Sequence, residues 1–251
     1  MTQGNLTDAA VMFDRAARLF RDSGQLLRVR DPRANRGWLL GMWMGRPEEG
    51  LPDIEEALAL ERILGRPEGE AHCLRGQSEV LATLGKVEEA RNIAEQAIEI
   101  ARRVGHREWT TTALGALGFA YEAAGDLDAA EAAYRESLEM GRDMPIMVLT
   151  ASRLASVLAR KGDLDSAEAY LSLVGGWDWE PWRLEAALVK AEIANLRGDP
   201  DAQAIAAEAL ARAEARGIAN PTYSRVKRLI GSSIDAGRLH PGEGGSAIPF
   251  C

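Results

Sequence analysis

Glycine punctuates this chain at a nearly fixed interval. A short phrase (Gly, polar, apolar or Pro, two mostly polar residues, then a small one) begins at Gly4, Gly45, Gly85, Gly125, Gly162 and Gly198. The spacings are 41, 40, 40, 37 and 36 residues. One clear copy reads Gly125-Asp126-Leu127-Asp128-Ala129-Ala130. A second series, Gly24, Gly65, Gly105, Gly141, Gly175 and Gly217, is interleaved with the first. Such a repeat constrains the fold more than any local motif, because each unit must bury its apolar face against the next.

Each glycine follows one apolar-periodic stretch and precedes another, so the repeating unit is helix, turn, helix, turn. Glycine takes the left-handed conformation of a helix C-terminus without a Cβ penalty. Asp128 with Glu131, and Asp165 with Glu168, have the spacing of a capping box for second helices. In residues 86–104, Ala90, Ile93, Ala94, Ala97, Ile98 and Ala101 form one apolar face. The first helices are apolar around more of their circumference, as in Ala113–Tyr121, which predicts neighbours on both sides. Composition agrees: 42 of 251 residues are alanine, while the residues that favour sheets are scarce. The expected fold is all-α.

The segment 113–138 resembles a tetratricopeptide repeat (TPR). Leu117-Gly118 matches its Leu-Gly pair, Tyr121 its aromatic place and Gly125-Asp126 its turn. Ala130, Tyr134 and Leu138 match its second helix. Ser78, Ala155 and Ala191 stand where Gly118 does. In the Gly45 copy bulky Trp38 occupies that place, flanked by Gly37 and Gly41, which suggests a one-residue slip. The resemblance implies a right-handed superhelix, a solenoid of antiparallel helix pairs. The units exceed the usual ~34 residues. In that they resemble the long-repeat arrays of MalT-like and LuxR-type bacterial regulators and of signal-transducing NTPases.

The expected organisation is a solenoid over 1–231. It has a lone second helix at 4–24, repeats near 28–65, 66–105, 106–141, 145–175 and 179–217, and a short helix at 219–231. A flexible tail, 232–251, follows. The lone second helix predicts a piece of a longer protein, or a terminus that docks in an atypical way.

Little here points to catalysis. The phosphate-binding pattern Gly-x-x-x-x-Gly-Lys-Ser/Thr is not present. His72, His106 and His240 have no ligand-spaced partners, so no metal or other cofactor is expected. Thirty basic residues, 26 of them Arg, are interspersed among 38 acidic ones for a net charge of −8, which disfavours nucleic-acid binding. The apolar runs are too short for a membrane helix and the N-terminus has no signal pattern, so the expected location is cytoplasmic. Cys73 reads as a core thiol, and Cys251 lies at the end.

The resemblance places the groove-facing residues at thirteen, ten, six and three positions before each turn glycine. They are Asn35, Leu39 and Met42; His72, Arg75, Glu79 and Ala82; Thr112, Gly115, Phe119 and Glu122. The later copies give Leu149, Ser152, Ser156 and Ala159, then Glu185, Leu188, Glu192 and Asn195. The Lys/Asn/Arg clamp by which some members hold a C-terminal carboxylate does not match here, although Arg36, Arg75 and Arg153 are candidates to meet an acidic group. Trp38, Trp43, Trp177, Trp179 and Trp182 are either interface aromatics or plugs for irregular gaps. The functional expectation is a non-enzymatic interaction module of a bacterial signalling protein, binding a protein or peptide partner. The alternative is an effector-sensing module with a ligand in the groove near Trp43 and Phe119.

Overall fold

A computed structural model describes residues 5–144, 147–174 and 179–238, without the side chains of 230–238. The array opens with α1 (Leu6–Asp22) and α2 (Arg30–Trp38). A π-helical turn at Leu39–Trp43 ends α2. Next come α3 (Pro47–Ile63), α4 (Pro67–Thr83), α5 (Val87–Arg103), α6 (Arg107–Ala124) and α7 (Leu127–Met140). The rest is α8 (Met147–Arg160), α9 (Leu164–Ser172), α10 (Glu180–Arg197), α11 (Ala202–Ala215) and α12 (Pro221–Arg238). No strand occurs among the described residues. Each first helix packs on its own second helix and on the next pair.

The helix ends follow from local chemistry. Gly24, Gly45, Gly65, Gly85, Gly105, Gly125, Gly162, Gly198 and Gly217 all have positive φ, so both glycine series act as helix terminators. Gly141 is different, with φ of −106°. It is small because a Cβ there would lie 2.6 Å from the Thr111 methyl. Pro47 and Pro67 stand in the first turn of their helices, where a missing N–H costs nothing. The capping-box expectation is corrected by two positions. Asp126 and Asp163, directly after the glycines, are the N-caps and accept from the Ala129 and Ser166 amides at 3.0 and 3.1 Å. Asp128 and Asp165 instead form ion pairs with Lys161 and Arg197.

Alanine and glycine set the closeness of the pairs. Ala90, Ala94, Ala97, Ala101, Ala113, Ala116 and Ala120 are buried along one seam. Gly118 lies against Tyr134, whose ring would be 2.6 Å from a Cβ built there. Ser78 donates to the Ala90 carbonyl at 2.8 Å, so this hydroxyl is satisfied inside the same crossing. Cys73 is a buried free thiol, and burial, reinforced by Glu61, pushes its pKa up to about 12.

The last helix differs from expectation. It continues to Arg238, so residues 232–238 are helical and not tail; residues 239–251, with Cys251, lie outside the described residues, as does Gly175. The two ends of the array also meet. The Leu6 amide donates to the Arg216 carbonyl at 3.2 Å, and the Ala219 amide donates to the Trp43 carbonyl at 2.8 Å. Asn5 and Thr7 lie against Gly217. The lone second helix α1 is therefore docked onto the far end of the same chain.

Candidate functional site: the axis of the array

The register of the axis begins in α2. Gly118 stands seven residues before its turn glycine, whereas Gly37 stands eight before Gly45. The π-helical turn at 39–43 absorbs the extra residue. Gly37, and not Trp38, is therefore the close-approach position: its Cβ would lie 2.5 Å from the Gly50 carbonyl and 2.6 Å from Ile54. Trp38 is rotated toward the axis, where its indole N–H donates to Glu79 at 2.7 Å. The slip moves Asn35 off the axis. It is exposed and donates to the Asp31 carbonyl at 2.8 Å.

Residues expected to face an open groove meet one another instead. Glu79 accepts from Arg75 at 2.6 Å and from Arg153, 74 positions away, at 2.9 Å. Burial opposes ionisation of Glu79, but the two guanidinium groups outweigh it and hold its carboxyl below the usual range. Arg75 also lies over the Trp38 ring and Arg153 over Phe119, 5.1 and 4.6 Å from the centroids. Burial, with Arg75 close by, pushes the pKa of His72 down to about 3. Its ring packs on Trp109 at 4.5 Å.

A second cluster occupies the other half of the axis. Glu122 accepts from the Tyr134 hydroxyl and from Arg160, both at 3.0 Å, and pairs with Arg225 at 3.3 Å. Arg225 also reaches Glu192 at 3.2 Å and the Ser156 hydroxyl at 2.8 Å, and Ser156 in turn donates to Glu192 at 2.6 Å. One arginine on α12 thereby ties three first helices together. Glu185 accepts from Asn220 and Thr222 at 2.6 and 2.7 Å. Buried charges with all partners in place are tolerated, whereas removal of one partner leaves the other stranded.

The expectation of groove-exposed side chains is thus corrected for most of the set. Leu39, Met42, Trp43, Arg75, Glu79, Phe119, Glu122, Ser152 and Ser156 are buried, as are Ala82, Gly115, Leu149, Ala159, Glu185, Leu188 and Glu192. His72, Thr112 and Asn195 keep partial exposure. The first helices converge so closely that their inner faces form a core. Arg36 pairs with Asp53 and does not face the axis cluster.

The aromatics belong to this core too. Trp38 and Trp179 stack at 6.4 Å with planes 13° apart. Trp43 meets both edge-on at 6.0 and 5.6 Å, and Trp182 packs on Trp179 at 4.8 Å. Trp43 is fully buried, while Trp179 remains 36% exposed. The plug alternative therefore fits Trp38, Trp43 and Trp182; Trp177 lies outside the described residues.

Two openings remain along the axis. At the C-terminal ends of α4, α6 and α8 a mouth of about 530 Å³ is lined by Ala82, Thr83, Phe119, Glu122, Ala123, Arg160, Ser224, Arg225 and Arg228. A narrow slot between α4, α6 and α8 lies among Arg75, Glu79, Thr112, Gly115 and Arg153. A larger hollow of about 680 Å³ lies off the axis, between α7, α8 and α9; α9 has nine residues where α7 has 14. Sequence reasoning missed Arg160, Arg225 and Arg228. Contacts with helices 30 to 70 residues away identify Arg160 and Arg225, Arg228 is identified by its place in the lining of the mouth, and no local pattern marks any of the three. Among the described residues no group of His, Cys, Asp or Glu has a metal-holding arrangement. No helix among them is long and apolar enough to cross a membrane.

Comparisons with known proteins agree with this architecture. The tetratricopeptide-repeat family model matches residues 34–103 and 74–143. Similar solved structures include kinesin-light-chain TPR-like repeats from Podosopora anserina, 19% identical, with a TM-score of 0.52 over 74% of this chain and 93% of that one. A Rap protein complexed with competence and sporulation factor is 11% identical, with a TM-score of 0.67 over 93% of this chain and 72% of that one. NprR in complex with its cognate peptide NprX is 15% identical, with a TM-score of 0.66 over 94% and 69%. A search of curated proteins gave no significant match. Residues 34–143 carry recognisable TPR units, the whole fold is a TPR-like helical solenoid, and no catalytic family is indicated.

Proposed function

We propose that this chain is a non-enzymatic regulatory module that binds a short extended segment of a protein partner at the axial mouth. The observation that carries the reading is the composition of that mouth. Phe119 and Ala82 give it an apolar floor, and Arg160, Arg225 and Arg228 stand at its rim. Arg160 and Arg225 are engaged with Glu122. Arg228 is exposed and has no ion pair among the described residues. The segment that suits this surface carries an apolar anchor followed by an acidic residue, the latter meeting Arg228. Peptide-bound regulators among the structural neighbours support the same reading, and with them a role in bacterial signalling. The partner segment belongs to a separate protein or to another part of the same polypeptide.

The test is selection of 12-residue peptides on the folded chain, followed by affinity measurement on two variants. Arg228→Glu should weaken acidic ligands about tenfold, and Ala123→Glu, on the exposed rim, should abolish binding of the anchor. Unchanged affinity in both variants refutes the mouth as the binding surface. A second reading rests on the cavity volume, which lies within the usual range for small-molecule sites. Saturable quenching of tryptophan emission by one metabolite of a panel, lost in Ala123→Glu, would favour that effector reading over the peptide.

A further inference from the structure

The slot between α4, α6 and α8 has chemistry that the mouth does not use. Both oxygens of Glu79 are taken, by Arg75 and Trp38 on one side and Arg153 on the other. Two guanidinium groups therefore contact a single carboxylate. The next carboxylate acting on Arg153 is Glu185, whose oxygens accept from Asn220 and Thr222. Moreover, Nε of Arg75 and Nη2 of Arg153 are buried without an acceptor among the protein groups. Their side chains are only 10% and 5% exposed, and a buried donor left without an acceptor is costly. Both residues line a cavity of about 10 Å³, close to the room that one water-sized particle needs.

We propose that this slot binds one small monovalent anion of chloride size, held by Arg75 Nε and Arg153 Nη2. The chemistry favours an anion over water. The two free groups are donors, and an anion satisfies both without asking for an acceptor in return. The direct contacts with Glu79 leave both guanidinium groups with a donor to spare, which an anion takes up. Thr112, partly exposed, gives a wall that can yield to an ion somewhat wider than water. A bound anion links α4 to α8 across α6 and so fixes the convergence of the first helices.

Thermal unfolding of the full chain in sodium chloride and in sodium gluconate, at equal ionic strength, tests this. Chloride and bromide should raise the melting temperature saturably, by several degrees over gluconate. Gly115→Ala supplies the control. Its methyl group would meet nothing closer than Thr150 Oγ1 at 3.6 Å, so the fold is kept, yet it takes up room in the slot. That variant should melt in gluconate at least as high as the native chain and lose the halide increment. Crystals grown in bromide should show an anomalous peak between the two guanidinium groups. Equal melting in both salts, an increment that survives in Gly115→Ala, or water density without an anomalous peak would overturn the proposal.

Discussion

The pairs α2–α3 and α6–α7 follow one plan and solve it differently. In α6–α7 the crossing is Gly118 under the ring of Tyr134, and the helix runs on without interruption to its turn glycine. In α2–α3 the crossing is backbone on backbone, Gly37 against Gly50, and α2 gives way to a π-helical turn after Trp38. One inserted residue is thereby absorbed without moving the seam. The cost is a rotated face, which brings Trp38 to Glu79 and Trp43 to the far end of the array. The seam tolerates little change because small residues fix the distance. The axis is held instead by buried charges, and removing one partner would strand the other.

Gly37→Ala should break the first pair most severely. Its methyl would press on a carbonyl and on fully buried Ile54, so a loss of about 3 kcal/mol is expected in denaturant unfolding. Gly76→Ala, in the interior of α4, is the matched control. Nothing lies within 3.7 Å of its Cβ position, so the better helix former should leave stability equal or raise it slightly. Equal losses in both variants would show that the backbone crossing is not special.

Trp38→Phe sharpens the comparison at the axis. It keeps the aromatic packing and removes the indole donor to Glu79, which should cost about 2 kcal/mol because the acceptor is ionised. The same substitution is expected to raise the pKa of Glu79, since one of the groups holding it down is lost. Carboxyl titration followed by NMR would register that change, and an unmoved Glu79 would contradict the register given to Trp38.

The smallest expected effect is a pH dependence. The folded pKa of His72 is about 3, well below its ordinary value, because burial disfavours the imidazolium and Arg75 adds repulsion. Between that value and about 6.5 the unfolded chain binds more protons than the folded one, so stability falls as pH is lowered through this window. With the ring partly exposed, the loss from pH 6.5 to 5 should be on the order of 1 kcal/mol. Glu79, also with a lowered pKa, acts in the same direction at lower pH. His72→Gln should flatten the stability curve between pH 5 and 6.5; an unchanged slope would assign the effect elsewhere.

The helices and their ends were legible because their signals are local. Left-handed glycine, proline in a first turn and an alanine stripe act over a few residues, and nine of the glycines adopt the expected conformation. The extra residue of α2 was legible as the eight-residue step from Gly37 to Gly45. The capping residues were misassigned by two positions because Asp126 and Asp128 are equally plausible in sequence, and only the backbone decides which side chain reaches the free amide. The axis was not legible. Glu79 and Arg153 are 74 residues apart, and Arg225 meets Ser156 across 69. Their meeting depends on the curvature accumulated over several pairs, which no single repeat encodes. Of the residues that resemble groove positions, Asn35 is carried off the axis by the extra residue of α2, whereas Arg75, Glu79 and Glu122 meet partners there. How tightly the inner faces of the first helices close was beyond the pattern.

The array closes on itself. Native-state hydrogen exchange of the Leu6 and Ala219 amides tests this closure most directly, because their acceptors, the carbonyls of Arg216 and Trp43, lie at the opposite end of the chain. The closed arrangement predicts that both amides are protected nearly as well as those in the middle of α6. Exchange of both at the rate of an unstructured peptide, with α6 still protected, would contradict it.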